Sequence, residues 1–161
     1  LSVAGGDPKK GEIVFRNQGG CMQCHQMGKD GGIQGPPLTI VGERLPPEKL
    51  VESLVNPNAE IAKGYGLSSI TMNDGNVAVG RIAEETKDTL SLVGVDGKSV
   101  AIARAQVKTI APPVSAMPPM ALALPPRDLR DLVAYLHSRN KATAPNGEDA
   151  ESHGDRENVS K

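Results

Sequence analysis

The chain has 161 residues, 38% of them apolar, with 18 Gly and 13 Pro but only three aromatic rings, Phe15, Tyr65 and Tyr135, and no Trp. That length suits one domain, or one carrying a sizeable insertion, and a core with so few rings is either purely aliphatic or holds something that is not protein. Eighteen basic against 19 acidic residues give a net charge of −1, which excludes the positive stripe and aromatic platforms of a dedicated nucleic-acid binder, and no apolar run is long enough to span a bilayer.

The chain begins at Leu1 rather than Met, as expected of a processed, exported protein or an excised domain. Asp7-Pro8 pairs an N-cap with proline at the first helical position and predicts a helix to about Asn17, stopped by Gly19-Gly20. Cys21-Met22-Gln23-Cys24-His25 follows directly. A second helix, from Pro46-Pro47-Glu48, sets Leu50, Val51 and Leu54 on one face and ends before Asn56-Pro57.

Prolines then vanish between positions 58 and 111. Runs at 67–72, 77–83, 89–95, 99–103 and 106–110 are rich in Val, Ile, Leu and Thr, and the Asp74-Gly75 and Asp96-Gly97 pairs between them favour tight hairpins. They predict a five-stranded antiparallel meander curled into a small barrel, inserted over residues 66–110. Prolines return in 112–120, a rigid extended loop holding Met117 and Met120. A last helix starts near Pro126, with Leu129, Leu132, Val133 and Leu136 on one face. Residues 141–161 carry five acidic and three basic residues and a single large aliphatic, Val159, the composition of a disordered acidic tail.

The chemistry is concentrated at Cys21, Cys24 and His25. Cys-x-x-Cys-His is the attachment signature of c-type haem: two thiols three positions apart reach the two vinyl groups, and the next residue offers an imidazole to iron. These are the only two cysteines, too few for a disulfide framework. The surroundings lack the βαβ setting of a thioredoxin-like pair, and His137 and His153 do not complete a zinc pattern.

A sixth iron ligand must come from elsewhere, and a Met thioether is the common partner in electron-transferring haem proteins. Met22 and Met27 stand too close to His25 in sequence to reach the opposite haem face, and Met72 falls in the β region as an ordinary apolar strand residue. Met117 and Met120 remain, with gap-filling in the core as the plain alternative for either. His137 is the next choice after them, and Arg44 could pair with a haem propionate.

At these residues the sequence resembles the class I cytochrome c domain. Gly11 and Phe15 resemble the family's small-plus-aromatic pair on the first helix, packing against Tyr135 on the last. Cys21, Cys24 and His25 match the attachment motif, Gly35-Pro36-Pro37-Leu38 resembles the segment whose proline carbonyl holds the proximal imidazole, and Met117-Pro118 resembles the axial Met-Pro, favouring Met117 over Met120. More narrowly, 56–65, the insertion, the Met loop and 131–136 resemble haem-binding domains at the C-terminus of large bacterial dehydrogenase-like chains. Within the insertion, Met72-Asn73-Asp74-Gly75 and Gly80 are similar to the small Sm-like barrel, without its RNA-binding residues.

The resemblance implies an α+β chain: an all-α cytochrome c domain (5–65 and 111–140) interrupted by a five-stranded Sm-like or SH3-like barrel. It implies one haem c, covalent through Cys21 and Cys24, with Pro36 supporting His25 and iron held by His25 and Met117. The expected function is single-electron transfer, not enzymic catalysis, in the periplasm or another exported compartment. A redox protein such as a dehydrogenase would be the partner, with no nucleic acid and no transmembrane segment. The alternatives are a haem-based sensor with a weak or absent sixth ligand, or a docking domain relaying electrons for a fused dehydrogenase, with the β insertion as a haem shield or a docking surface.

Overall fold

The computed structural model describes residues 4–94 and 96–144. Four helices and eight strands follow one another as α1 (Pro8–Arg16), β1 (Gln26–Met27), β2 (Asp30–Gly31), α2 (Val41–Arg44), α3 (Pro47–Val55), β3 (Gly66–Met72), β4 (Val77–Glu85), β5 (Thr89–Val93), β6 (Ser99–Ala103), β7 (Val107–Ile110), β8 (Val114–Ser115) and α4 (Pro126–His137).

The helices are short because proline and glycine bound them. The Asp7 carboxylate caps α1, accepting from the Lys9 N–H at 3.0 Å, with Pro8 in the first turn. Pro47 and Pro126 open α3 and α4 in the same way. The helices α1 and α4 cross at Gly11, where any Cβ would overlap the Asp131 carbonyl oxygen. That close approach brings Phe15 onto Tyr135, ring centroids 5.5 Å apart and planes tilted by 51°. Around the crossing, Val14, Leu50, Leu54, Leu129, Leu132 and Leu136 form an apolar core. Asp131 is buried within it, where its carboxylate accepts the Asp7 N–H at 2.9 Å and lies 3.7 Å from the Arg130 guanidinium.

The strands build a second core of Ile70, Leu90, Leu92 and Ile102, which shares no residue with the first. Antiparallel pairing runs β6-β5-β4-β3-β7, and β8 joins β3 off that path. The expected turns close the hairpins: Gly75 and Gly97 take φ of +87° and +78°, left-handed values that favour glycine. Gly80 lets β5 pass close by, since a Cβ there would lie 2.6 Å from the Val93 carbonyl oxygen.

Two parts of the expected fold are corrected. The flanks are not an all-α domain: β1 and β2 form a hairpin about Gly28, which has φ of +64°, because the glycine-rich run after His25 sustains no helix. The insertion is not a five-stranded barrel. The sheet has six strands, its pairing leaves β6 and β7 as the two ends of the path among the described residues, and β8 lies beyond position 110. Pro112-Pro113 hold the chain extended, so Val114 and Ser115 fall alongside Leu67 and Gly66 at the start of β3.

No helix among the described residues is long and apolar enough to cross a membrane. Of the tail expected to be disordered, Lys141–Thr143 form a 3-10 turn capped by the Asn140 side chain, and 145–161 lie outside the described residues.

Candidate functional site

The Cys-x-x-Cys-His segment forms a tight turn fixed at both ends. At the end of α1 the Gly19 N–H donates to the Val14 carbonyl at 2.8 Å, and Gly20 then takes φ of +59° to turn the chain into the 3-10 turn Cys21–Gln23. The Cys21 carbonyl accepts from both Cys24 N–H at 3.1 Å and His25 N–H at 2.8 Å, so one turn of backbone separates the two cysteines. Both are free thiols.

The following glycine-rich segment wraps the turn. Gly32 N–H donates to the Met22 carbonyl at 2.9 Å and Gly35 N–H to the Cys24 carbonyl at 2.7 Å. Gly35 lies against the His25 ring: a Cβ there would stand 2.6 to 3.0 Å from three ring atoms. Pro36 then presents its carbonyl to His25 Nδ1 at 2.8 Å. A carbonyl only accepts, so Nδ1 carries a proton, and in the neutral ring Nε2 then keeps its lone pair, the state of a histidine that ligates a metal. The Arg44 guanidinium donates to the neighbouring Pro37 carbonyl, and Gly28 N–H donates to the buried Thr39 hydroxyl at 2.8 Å. Arg44 thereby braces the loop beside His25.

Burial sets the protonation states. It holds the His25 imidazole below its ordinary 6.5, opposed in part by the Pro36 hydrogen bond, so the ring is neutral. It pushes the Cys21 thiol up to about 11. Cys21 packs against the helical core, whereas Cys24 is exposed.

Met117 packs, partly buried, against the same apolar cluster as Cys21 and Met22. Met120 is inside that cluster and opens the 3-10 turn Met120–Leu122, which gives it the gap-filling role. Met27 is likewise a core residue, and Met72 packs on the sheet cluster. His137 is exposed at the end of α4, and His153 lies outside the described residues. No group of three or more His, Cys, Asp or Glu side chains suited to a metal ion occurs among the described residues.

The site thus gathers Cys21, Cys24, His25 and Pro36 by direct backbone and side-chain contacts, and links Met117 to them through a shared apolar cluster. Two features escape the sequence reading. One is Gly35 as a seat for the imidazole, signalled only by the glycine-rich run before Pro36. The other is an apolar cleft of about 430 Å³ where the sheet meets the flanks, lined by Ile61, Ala62, Lys63, Gly64, Gly66, Ser68, Ile82 and residues 110–113, with no motif residue in its walls. No protein-family model and no curated protein matches the chain.

Proposed function

We propose that this chain is a monohaem c-type cytochrome, a carrier or relay of single electrons, in which Cys21 and Cys24 would hold haem covalently and His25 and Met117 would bind its iron. The observation that carries the reading is the pairing of two free thiols one turn apart with a neutral imidazole whose Nδ1 is already occupied by the Pro36 carbonyl.

Each residue has a defined task in this reading. Cys21 and Cys24 would hold the group through thioethers, a linkage that S–H addition to its two vinyl groups gives with no oxidant and no leaving group. Pro36 and Gly35 hold the imidazole so that Nε2 alone is offered as ligand. Met117 supplies a thioether, which raises the reduction potential relative to a second imidazole. When bound, the haem supplies the one-electron couple of its iron and a large flat apolar surface. The helical core holds only two of the three rings of the chain, Phe15 and Tyr135, and such a surface would take the place of further aromatic side chains.

Bacterial c-type proteins are matured outside the cytoplasm, which the resemblance extends to this chain: we place it in the periplasm or another exported compartment, passing electrons to or from a redox protein such as a dehydrogenase.

Coexpression with a c-type maturation system tests the assignment. Haem is expected to remain on the denatured wild-type chain and to be lost from the Cys21→Ala, Cys24→Ala double variant. The far-red Met-to-iron band of the oxidised protein should vanish in Met117→Ala and persist in Met120→Ala. A wild-type chain of unmodified mass would sink the haem assignment, and rapid carbon monoxide binding to the reduced wild type would replace the carrier by a ligand-binding sensor.

A further inference from the structure

The sheet touches the methionine loop at one point. Strand β8 is only Val114–Ser115, paired with Leu67 and Gly66 at the start of β3. The Ser115 backbone N–H donates to Asn58 Oδ1 at 2.8 Å, which ties the strand to the segment after α3. Ser115 Oγ in turn accepts the Met117 N–H at 3.2 Å. Four of the eight residues 112–119 are prolines and have no amide hydrogen to give, so only Val114, Ser115, Ala116 and Met117 can anchor the loop through N–H groups. The Ser115 N–H ties the loop to Asn58, and the Met117 N–H is fixed in turn to the Ser115 hydroxyl within the loop. Gly66 permits the close approach, since a Cβ there would lie 2.5 Å from Pro113 Cβ.

We propose that Ser115 is the positioning residue for Met117, and that the inserted sheet, through β3 and β8, fixes where the Met117 sulfur stands. The sheet thereby sets how firmly the sixth ligand is held. The inference rests on Met117 as the ligand and gives the insertion a role distinct from shielding haem or docking a partner. Without the Ser115 hydroxyl, β8 stays paired with β3 but the Met117 N–H loses its acceptor, so the segment carrying Met117 is freed to turn relative to the strand.

The test uses the haem-loaded full chain with Ser115→Ala, Ser115→Thr, Asn58→Leu and Gly66→Ala. The last pushes the Pro113 ring, and with it the start of the loop, away from β3 while leaving the Ser115 and Met117 side chains unaltered. In Ser115→Ala, carbon monoxide should bind the reduced protein roughly fivefold faster, the factor expected for one lost net hydrogen bond. The far-red band should weaken, the midpoint potential fall, and the Met117 amide proton of the reduced protein exchange faster with solvent. Asn58→Leu and Gly66→Ala should act in the same direction, and Ser115→Thr, which keeps the hydroxyl, should restore wild-type values. A wild type that has the band, together with variants whose band, potential and carbon monoxide rate are unchanged, overturns the inference alone. A haem-loaded wild type lacking the band, or keeping it in Met117→Ala, overturns the ligand assignment beneath it.

Discussion

Cys21 and Cys24 are chemically alike but stand in unlike surroundings, and His25 beside them is held neutral by burial. Alkylation proceeds through the thiolate, so iodoacetamide should modify exposed Cys24 well before Cys21 in the haem-free chain at mildly alkaline pH, read by peptide mass. Equal rates would show that Cys21 is not shielded. The two shifts also bracket stability. The folded His25 resists protonation while the unfolded ring protonates near 6.5, so its contribution is complete above 6.5 and is lost as pH falls below it. The folded Cys21 resists ionisation until about 11 against an ordinary 9.0, so its contribution is complete below 9.0 and is lost as pH rises from there. Urea midpoints of the haem-free chain should therefore fall on both sides of that range. The motif itself was plain in the sequence. The seat that Gly35 makes for the ring was not, because it depends on a loop returning ten residues later.

Among the elements, the crossing of α1 with α4 is the most exacting. Asp7 joins the two helices, its N–H reaching the buried Asp131 carboxylate, and Gly11 leaves no room for a side chain against the Asp131 carbonyl. Gly11→Ala forces a backbone separation rather than a rotamer change, so it should cost about 2 kcal/mol or more, at the upper part of the range for overpacking. Chemical denaturation of the haem-loaded protein measures it, and a loss within experimental error would mean that the helices slide without penalty. The helix boundaries were legible because Asp7, Pro8, Pro47 and Pro126 act through local backbone rules. The β1–β2 hairpin and β8 were not, since two-residue strands carry no periodicity and exist only where a partner backbone lies alongside.

Over the whole molecule, two apolar cores with no shared residue predict two units of stability. Partly buried Cys21 and Met117 pack against the helical core, which is the one that haem would complete in the proposed function, whereas the sheet core is purely aliphatic. Heating the haem-free chain should release amide protection in α1 and α4 before it does so in β3 to β5, and attaching haem should raise the first transition far more than the second. A single transition, equally shifted, would show that the cores melt together.

What is set locally could be read along the chain: the capped helix starts, the Asp-Gly hairpin turns, the two-thiol and imidazole spacing, and the shortage of aromatic rings. How those pieces meet is settled by packing between segments far apart in the chain. The Ser115 N–H bond to Asn58, the sixth strand of the sheet, and the difference between a core Met120 and a half-buried Met117 all depend on which distant segments come together. No pattern read along one chain encodes that, because the partner of each group is chosen by packing rather than by its neighbours in sequence.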